Sequence, residues 1–199
     1  MSRNSNRADG DIVQDFLSVA DLLEEPQLAQ LYTYLAREGE ATVQNLLDDL
    51  EFAQGTAYSY VNQLVDAGVL DVIDGGQPRR YAAREIDLTM TTAAGDREYT
   101  ITPALIDAVG RREKNTDIDT HIDRHSVAGL ATALTHAVDR ERGKVTYHLM
   151  AGDLDTSLLA VEMILWALRP IVHGHYDIEE AGAGFDKVDT NHCDVADCA

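Results

Sequence analysis

Residues 52–65, FAQGTAYSYVNQLV, carry no charged side chain, although the chain has 35 acidic and 16 basic residues and a net charge of −19. Ala57, Val61 and Leu64 recur at helical spacing, which predicts an amphipathic helix over about 55–67 that ends at Gly68. Its opposite face carries hydroxyls and amides where solvated faces elsewhere carry carboxylates. An acidic chain that keeps one surface uncharged indicates a surface reserved for a polyanion.

A basic hairpin is predicted directly after this helix. The segments VLDVID (69–74) and RRYAA (79–83) are two short strands around a turn at 75–78 that contains two glycines and a proline. Residues 75–84 hold three arginines and no carboxylate. Guanidinium groups at such a tip can reach phosphates or a minor groove.

The residues before the uncharged helix predict three further helices. Apolar spacing indicates a helix at about 11–24, and Pro26 suits the first turn of the next, which Gly39 ends. Thr42 is placed to cap a third helix, TVQNLLDDL. Residues 1–10 are polar and are predicted to be disordered.

This order of segments resembles the winged helix-turn-helix of archaeal and bacterial transcriptional regulators of the MarR, ArsR and TrmB-like groups. The resemblance covers residues 26–84 and includes the junction LVDAGVL, where a recognition helix ends at Gly and a strand begins. It implies that helix 55–67 enters the major groove and that the wing, 69–83, lies on the DNA backbone. Amides pair with adenine edges, and the helix has no Arg or Lys to read guanine. The predicted DNA contacts are Thr56, Tyr58, Ser59, Asn62, Gln63, Gln77, Arg79 and Arg80.

The second half of the chain predicts a small α+β domain for dimerisation or sensing. A second hairpin is expected within 86–101, a helix beginning at Thr102 and Pro103, and a polar linker at 115–120. A long helix at about 121–141 and a strand at 145–150 follow. Asp155 and Thr156 should cap a last helix that Pro170 kinks or ends. The fold class is therefore α+β, with predicted boundaries at 1–10, 11–84, 86–176 and an acidic tail at 177–199.

The last helix, with its core LLAVEMILWALR, is apolar nearly all round, so most of its circumference must be buried. A twofold partner would cover it, and winged helices commonly dimerise to meet two half-sites. The sequence therefore predicts a homodimer built largely through residues 120–172. Its predicted partners are double-stranded DNA and a second copy of itself.

Histidines and cysteines suggest an alternative reading as a metal- or thiol-responsive sensor. His121 and His125 are spaced i, i+4 without a third ligand in view. The C-terminal candidates for Zn²⁺ or for thiol oxidation are His173, His175, His192, Cys193 and Cys198. An incidental arrangement in a solvated tail is favoured, so no cofactor is predicted. A third reading is a winged helix that binds protein instead of DNA.

The remaining sequence patterns concern the cellular location, adaptation to salt and catalytic motifs. No run of about 18 apolar residues and no signal-peptide core occurs, which predicts a cytoplasmic protein without a membrane partner. The 23 Asp against 12 Glu, and 13 Arg against three Lys, resemble the composition of salt-loving archaeal proteins. No catalytic or phosphate-binding motif appears, so an enzyme is not expected. The sequence identifies neither the operator nor the effector.

Overall fold

The computed structural model describes residues 19–91 and 98–178. Residues 19–24 are helical and precede α1 (Pro26–Glu38), β1 (Ala41–Thr42), α2 (Val43–Leu50) and α3 (Gln54–Asp66). The hairpin β2 (Leu70–Asp74) and β3 (Arg80–Ala83) completes the first half. Both β1 and β2 pair antiparallel with β3, which gives a three-stranded sheet in the order β1-β3-β2.

The predicted ends of the helices after residue 25 are confirmed, whereas the start of the helix predicted at 11–24 lies outside the described residues. Pro26 lies in the first turn of α1, and Gly39 follows its last turn with φ 79°. Thr42 and Asn45 form a reciprocal capping box at the start of α2. Glu51, with φ 58°, turns the chain between α2 and α3, and Gly68, with φ 75°, follows α3. Local chemistry at these positions therefore determines where the elements begin and end.

The second half is mainly helical. The hairpin β4 (Leu88–Thr91) and β5 (Glu98–Ile101) is antiparallel and leads into α4 (Pro103–Gly110), whose N-cap is Thr102, as predicted. A 3-10 turn (Arg112–Lys114) precedes α5 (Thr116–Glu141), α6 (Tyr147–Asp153) and α7 (Leu158–His175). The described part of the chain is thus a mixture of helices and small antiparallel sheets, as the α+β class requires.

Three expectations for this half are wrong. Residues 147–150 of the predicted strand are the first part of α6, because the short apolar pattern suits either structure. The predicted linker 115–120 belongs to α5, because the Asn115 side chain accepts hydrogen bonds from two backbone amides of the first turn. Ser157, and neither Asp155 nor Thr156, caps α7, which continues past Pro170 to His175.

A break in regular geometry divides α5 at Ser126, whose φ is 64° and ψ is 178°. That backbone region is essentially restricted to glycine. A Cβ added to Gly129 would lie 2.4 Å from the Cβ of His125, so only a glycine fits at this bend. The long helix predicted from periodicity therefore consists of two helical pieces joined by a kink at Ser126.

The two halves share one hydrophobic core through a close contact of α1 with α4. The ideal Cβ position on Gly110 lies 3.0 Å from the backbone nitrogen of Gln30. The Gln30 side chain donates a 2.7 Å hydrogen bond to the Gly110 carbonyl, and Tyr32 donates to the Arg84 carbonyl at 2.8 Å. Core residues of both halves, such as Leu31 and Ile106, have no exposed surface. The halves therefore pack directly on one another.

No single helix within the described ranges is long and apolar enough to cross a membrane. By length and composition alone, α6 and α7 pass that test as a pair, with a bend of 101° between them.

Candidate nucleic-acid interface

Helix α3 presents its polar residues outward, as its periodicity predicts. Ala57, Val61 and Leu64 are buried in the core. Ser59, Asn62 and Gln63 are exposed, Thr56 is half-buried, and Tyr58 is 48% exposed. We call Thr56, Ser59, Asn62 and Gln63 the uncharged face. Its role in DNA contact stays a prediction, although its position on a short helix behind a tight turn suits groove entry.

The members of the uncharged face differ in their freedom to bind. Gln63 Nε2 donates a 3.3 Å hydrogen bond to Asp21 Oδ2 in the preceding helical segment. Asn62 makes no side-chain hydrogen bond with any residue that the structure describes. Its amide can therefore pair with a base edge without first breaking a hydrogen bond to a described residue, whereas Gln63 must leave Asp21.

The wing arginines are also unequal. Arg80 lies 3.5 Å from Glu40, and both side chains are about half exposed. Arg79 forms no ion pair with a described residue and is exposed. Asp74 turns the tip by accepting a 2.8 Å hydrogen bond from the Gly76 amide, and Gln77 is exposed beside it. Arg79 is consequently the wing cation most available to a phosphate.

Sequence reasoning missed the two carboxylates that touch this surface. Asp21 reaches Gln63 and Glu40 reaches Arg80 only because tertiary packing brings distant segments together. Because the paired residues are far apart in the sequence, no sequence pattern predicts these pairs. Both are exposed or half-exposed, so each contributes little to stability, but each competes with a nucleic acid for its partner.

The two described histidines of the C-terminal cluster each lie beside a carboxylate. His173 Nε2 lies 3.1 Å from Glu141, and His175 Nε2 lies 3.0 Å from Asp107. Among the described residues, no group of three His, Cys, Asp or Glu side chains could hold a metal ion. His192, Cys193 and Cys198 lie outside those residues, as does the predicted disordered N-terminus.

His121 and His125 stack with ring centroids 4.8 Å apart and a tilt of 35°. His121 is buried, and its Nε2 forms no hydrogen bond with a described residue. Burial, followed by the charge of His125, lowers the pKa of His121, although the backbone of Gly129 opposes this effect. A neutral, packed imidazole is therefore the role that the geometry gives to His121.

Two family models match separate parts of the chain. Residues 28–87 match the sugar-specific transcriptional regulator TrmB, and residues 112–177 match a family of unknown function, DUF7437. The first match spans α1 to β3 and supports a winged-helix regulator family, transcription regulation and DNA as a partner. The second spans the 3-10 turn and helices α5 to α7.

One curated protein is similar over most of this chain. Erythronate-4-phosphate dehydrogenase from Chromohalobacter salexigens is 35% identical over 194 residues, which cover 91% of this chain and 47% of that protein. The chain thus spans about half the length of this relative. Both sheets in the described ranges are antiparallel, unlike the parallel sheet of a dinucleotide-binding fold. No solved structure matches the chain. That the chain is no enzyme stays a prediction.

Proposed function

We propose that this chain is a sequence-specific DNA-binding regulator that acts as a homodimer in the cytoplasm of a salt-adapted archaeon. Residues 26–84 form a winged helix in which α3 lies in the major groove, and the turn between β2 and β3 contacts the backbone. The TrmB match supports the regulatory class, and the element order helix, strand, helix, helix, hairpin supports the winged helix.

The observation that carries the proposal is the exposed, charge-free surface of α3. On a chain of net charge −19, an outward helix face with amides and hydroxyls avoids repulsion from phosphates. Among the described residues, two carboxylates border this face: Asp21, which bonds Gln63, and Asp66 in the last turn of α3. Adenine edges match the amide donors and acceptors of such a face.

The dimer rests on an apolar stripe along α7, formed by Leu158, Leu159 and Met163. These side chains are 44%, 67% and 45% exposed. Ile164 and Leu165 belong to the same apolar run but are buried within the chain against the other helices, and Trp166, 65% exposed, is left outside the stripe. The surface left for a partner is therefore narrower than an all-round apolar helix, and it lies on one side of α7. A second copy that covers the stripe would remove it from water.

The first test replaces Asn62, the unencumbered amide of the uncharged face. After genome-wide mapping of bound sites, Asn62→Ala should lose roughly 1–3 kcal/mol of specific binding, because a bidentate base contact is worth that much. Thermal stability should hardly change, since Asn62 is exposed. Gln27→Ala, an amide on α1 outside the predicted contacts, is the matched control. Equal affinities for the mapped site in both variants would remove α3 as the reading helix.

The second test compares the two wing arginines. Arg79→Ala should weaken binding to all DNA sequences and reduce the slope of log affinity against log salt by about one, because one phosphate contact is lost. Arg80→Ala should have the smaller effect, because Glu40 already pairs with Arg80. The matched control is Arg124→Ala, which also removes one positive charge but at an exposed position on α5, away from the wing. An altered sequence preference with an unchanged salt slope would contradict the phosphate role.

The alternative of a protein-interaction module would be favoured by two results together. No variant would change the affinity for DNA, and the wild-type protein would show no detectable binding to the mapped fragments. The metal- or thiol-responsive sensor gains support only from stoichiometric metal or an oxidised thiol pair in the purified full-length protein. Only the protein-interaction module leaves the uncharged face without a role in base recognition, because the sensor would still act through DNA.

A further inference from the structure

A cleft between the end of α5, α6 and α7 combines aromatic and basic side chains. Its volume is about 280 Å³, and its walls include Arg140, Tyr147, Trp166 and Arg169. The chain has 13 arginines, three lysines and one tryptophan in 199 residues. Two arginines beside that tryptophan are therefore a marked local concentration on an acidic protein.

The arginines are held in place by aromatic rings. The Arg140 guanidinium carbon lies 3.6 Å from the centroid of the Tyr147 ring, and that of Arg169 lies 5.8 Å from the centroid of Trp166. Stacking of this kind leaves the N–H groups at the edge of a guanidinium available to an anion. The cleft thus presents planar cations whose donors suit phosphate oxygens.

Trp166 offers the cleft an aromatic surface, since 65% of it is exposed. A flat aromatic ring stacked on an indole face gains more binding free energy than a non-aromatic ring of the same size. Stacking of nucleobases on aromatic side chains is an example. The wall therefore favours a ligand that carries both an aromatic ring and an anionic group.

Glu141 adds a hydrogen-bond acceptor to this wall. Its carboxylate lies 3.8 Å from Arg169 and 3.1 Å from His173. A carboxylate has room for further donors, such as the hydroxyls of a ribose. It also lowers the net positive charge of the wall to +1, from two arginines and one glutamate, which disfavours a long polyanion compared with a single small phosphate.

We propose that this cleft binds one nucleoside monophosphate, with the base on Trp166, the phosphate at Arg140 and Arg169, and the ribose hydroxyls at Glu141. The volume of about 280 Å³ lies just below the usual range of ligand pockets, roughly 300–1,000 Å³, and suits a single nucleotide in an open cleft. The site lies on α5 to α7, apart from α3 and the wing, so it does not depend on DNA binding.

The test uses full-length protein and adenosine monophosphate, with binding measured by calorimetry and by the fluorescence of Trp166. Because Trp166 is the only tryptophan, quenching reports the proposed wall alone. We expect saturable binding and quenching by adenosine monophosphate, with adenosine and ribose 5-phosphate at least tenfold weaker. Arg140→Gln and Arg169→Gln should each weaken binding about tenfold.

Arg142→Gln is the matched control, because Arg142 is exposed, follows the same helix and does not line the cleft. Thermal melting and light scattering verify that each variant keeps its fold and its oligomeric state. The proposal is overturned if Arg140→Gln and Arg169→Gln bind like Arg142→Gln. It is equally overturned if ribose 5-phosphate binds as well as adenosine monophosphate, or if a thymidine oligonucleotide binds more tightly than either.

Discussion

Asp107 illustrates how much a single residue contributes to this fold. Its side chain is 7% exposed and accepts hydrogen bonds from Arg111 at 2.9 and 3.0 Å, while His175 lies 3.0 Å and Arg37 3.5 Å away. Burial alone would raise its pKa, but the hydrogen bonds from His175 and Arg111 outweigh burial and lower it to about 2. Its low pKa means that Asp107 is ionised at neutral pH, where it accepts these hydrogen bonds as a carboxylate.

We therefore expect an acid-sensitive free energy of unfolding. The folded-state pKa of Asp107 lies below the ordinary value of 3.8, so its stabilisation is complete above that value and is lost as pH falls towards 2. Asp107→Asn should lower the free energy of unfolding on the order of 2 kcal/mol at neutral pH and flatten its fall between pH 4 and 2. Denaturant melts at a series of pH values measure both effects.

Asp123→Asn is the control for this titration, because the Asp123 side chain is 62% exposed. It should retain the fall in stability that the wild type shows. An unchanged pH profile in Asp107→Asn would assign the acid sensitivity to other carboxylates. The sequence could not indicate this cluster, since residues 37, 107 and 175 meet only in the folded chain, whereas the exposure of Asn62 followed from helical periodicity alone.

Among the secondary-structure elements, α1 and α4 pack so closely at Gly110 that a larger residue at this position would push on the α1 backbone. Gly110→Ala should lower the free energy of unfolding by roughly 1–3 kcal/mol, because a methyl group 3.0 Å from the Gln30 nitrogen pushes two packed helices apart. Gly174→Ala, in α7, meets nothing within 4 Å and should stabilise the helix by up to about 1 kcal/mol. Urea melts of both variants give the comparison, and equal shifts of the same sign would refute the close contact.

The elements that were predictable are those with local signals. Thr42, Thr102 and Gly39 mark helix ends by their own chemistry, and the two hairpins follow from short alternating segments around turns. The errors arose where the local pattern was ambiguous. Residues 145–150 suit a strand or a helix, and a strand needs a partner that only the tertiary fold can provide.

The oligomeric state of the whole molecule is the most direct test of the proposed stripe on α7. We expect a homodimeric mass by light scattering in molar KCl, and a shift towards monomer in Leu159→Ser, because Leu159 is 67% exposed on that stripe. Low salt should also weaken the dimer, since carboxylates on a chain of net charge −19 then repel over a longer distance.

Ile73→Ser, at a 51% exposed apolar residue on β2, is the control and should remain dimeric. A monomeric wild type at every salt concentration would remove the twofold arrangement of recognition helices. The sequence predicted an apolar last helix correctly but not which of its faces the chain itself covers, because that depends on how α5 and α4 pack against it.

The arrangement around Asp107 also links helices α1 and α7, which are far apart in the sequence. Arg37 belongs to α1 and His175 to α7, yet both contact the same buried carboxylate. Substitutions at these two positions should not be additive, and a double-mutant cycle would measure a coupling free energy between them. Coupling of this kind is reciprocal. An event that displaces His175 in α7 would therefore alter the environment of Arg37 in α1, and an event that displaces Arg37 would alter that of His175 by the same coupling free energy.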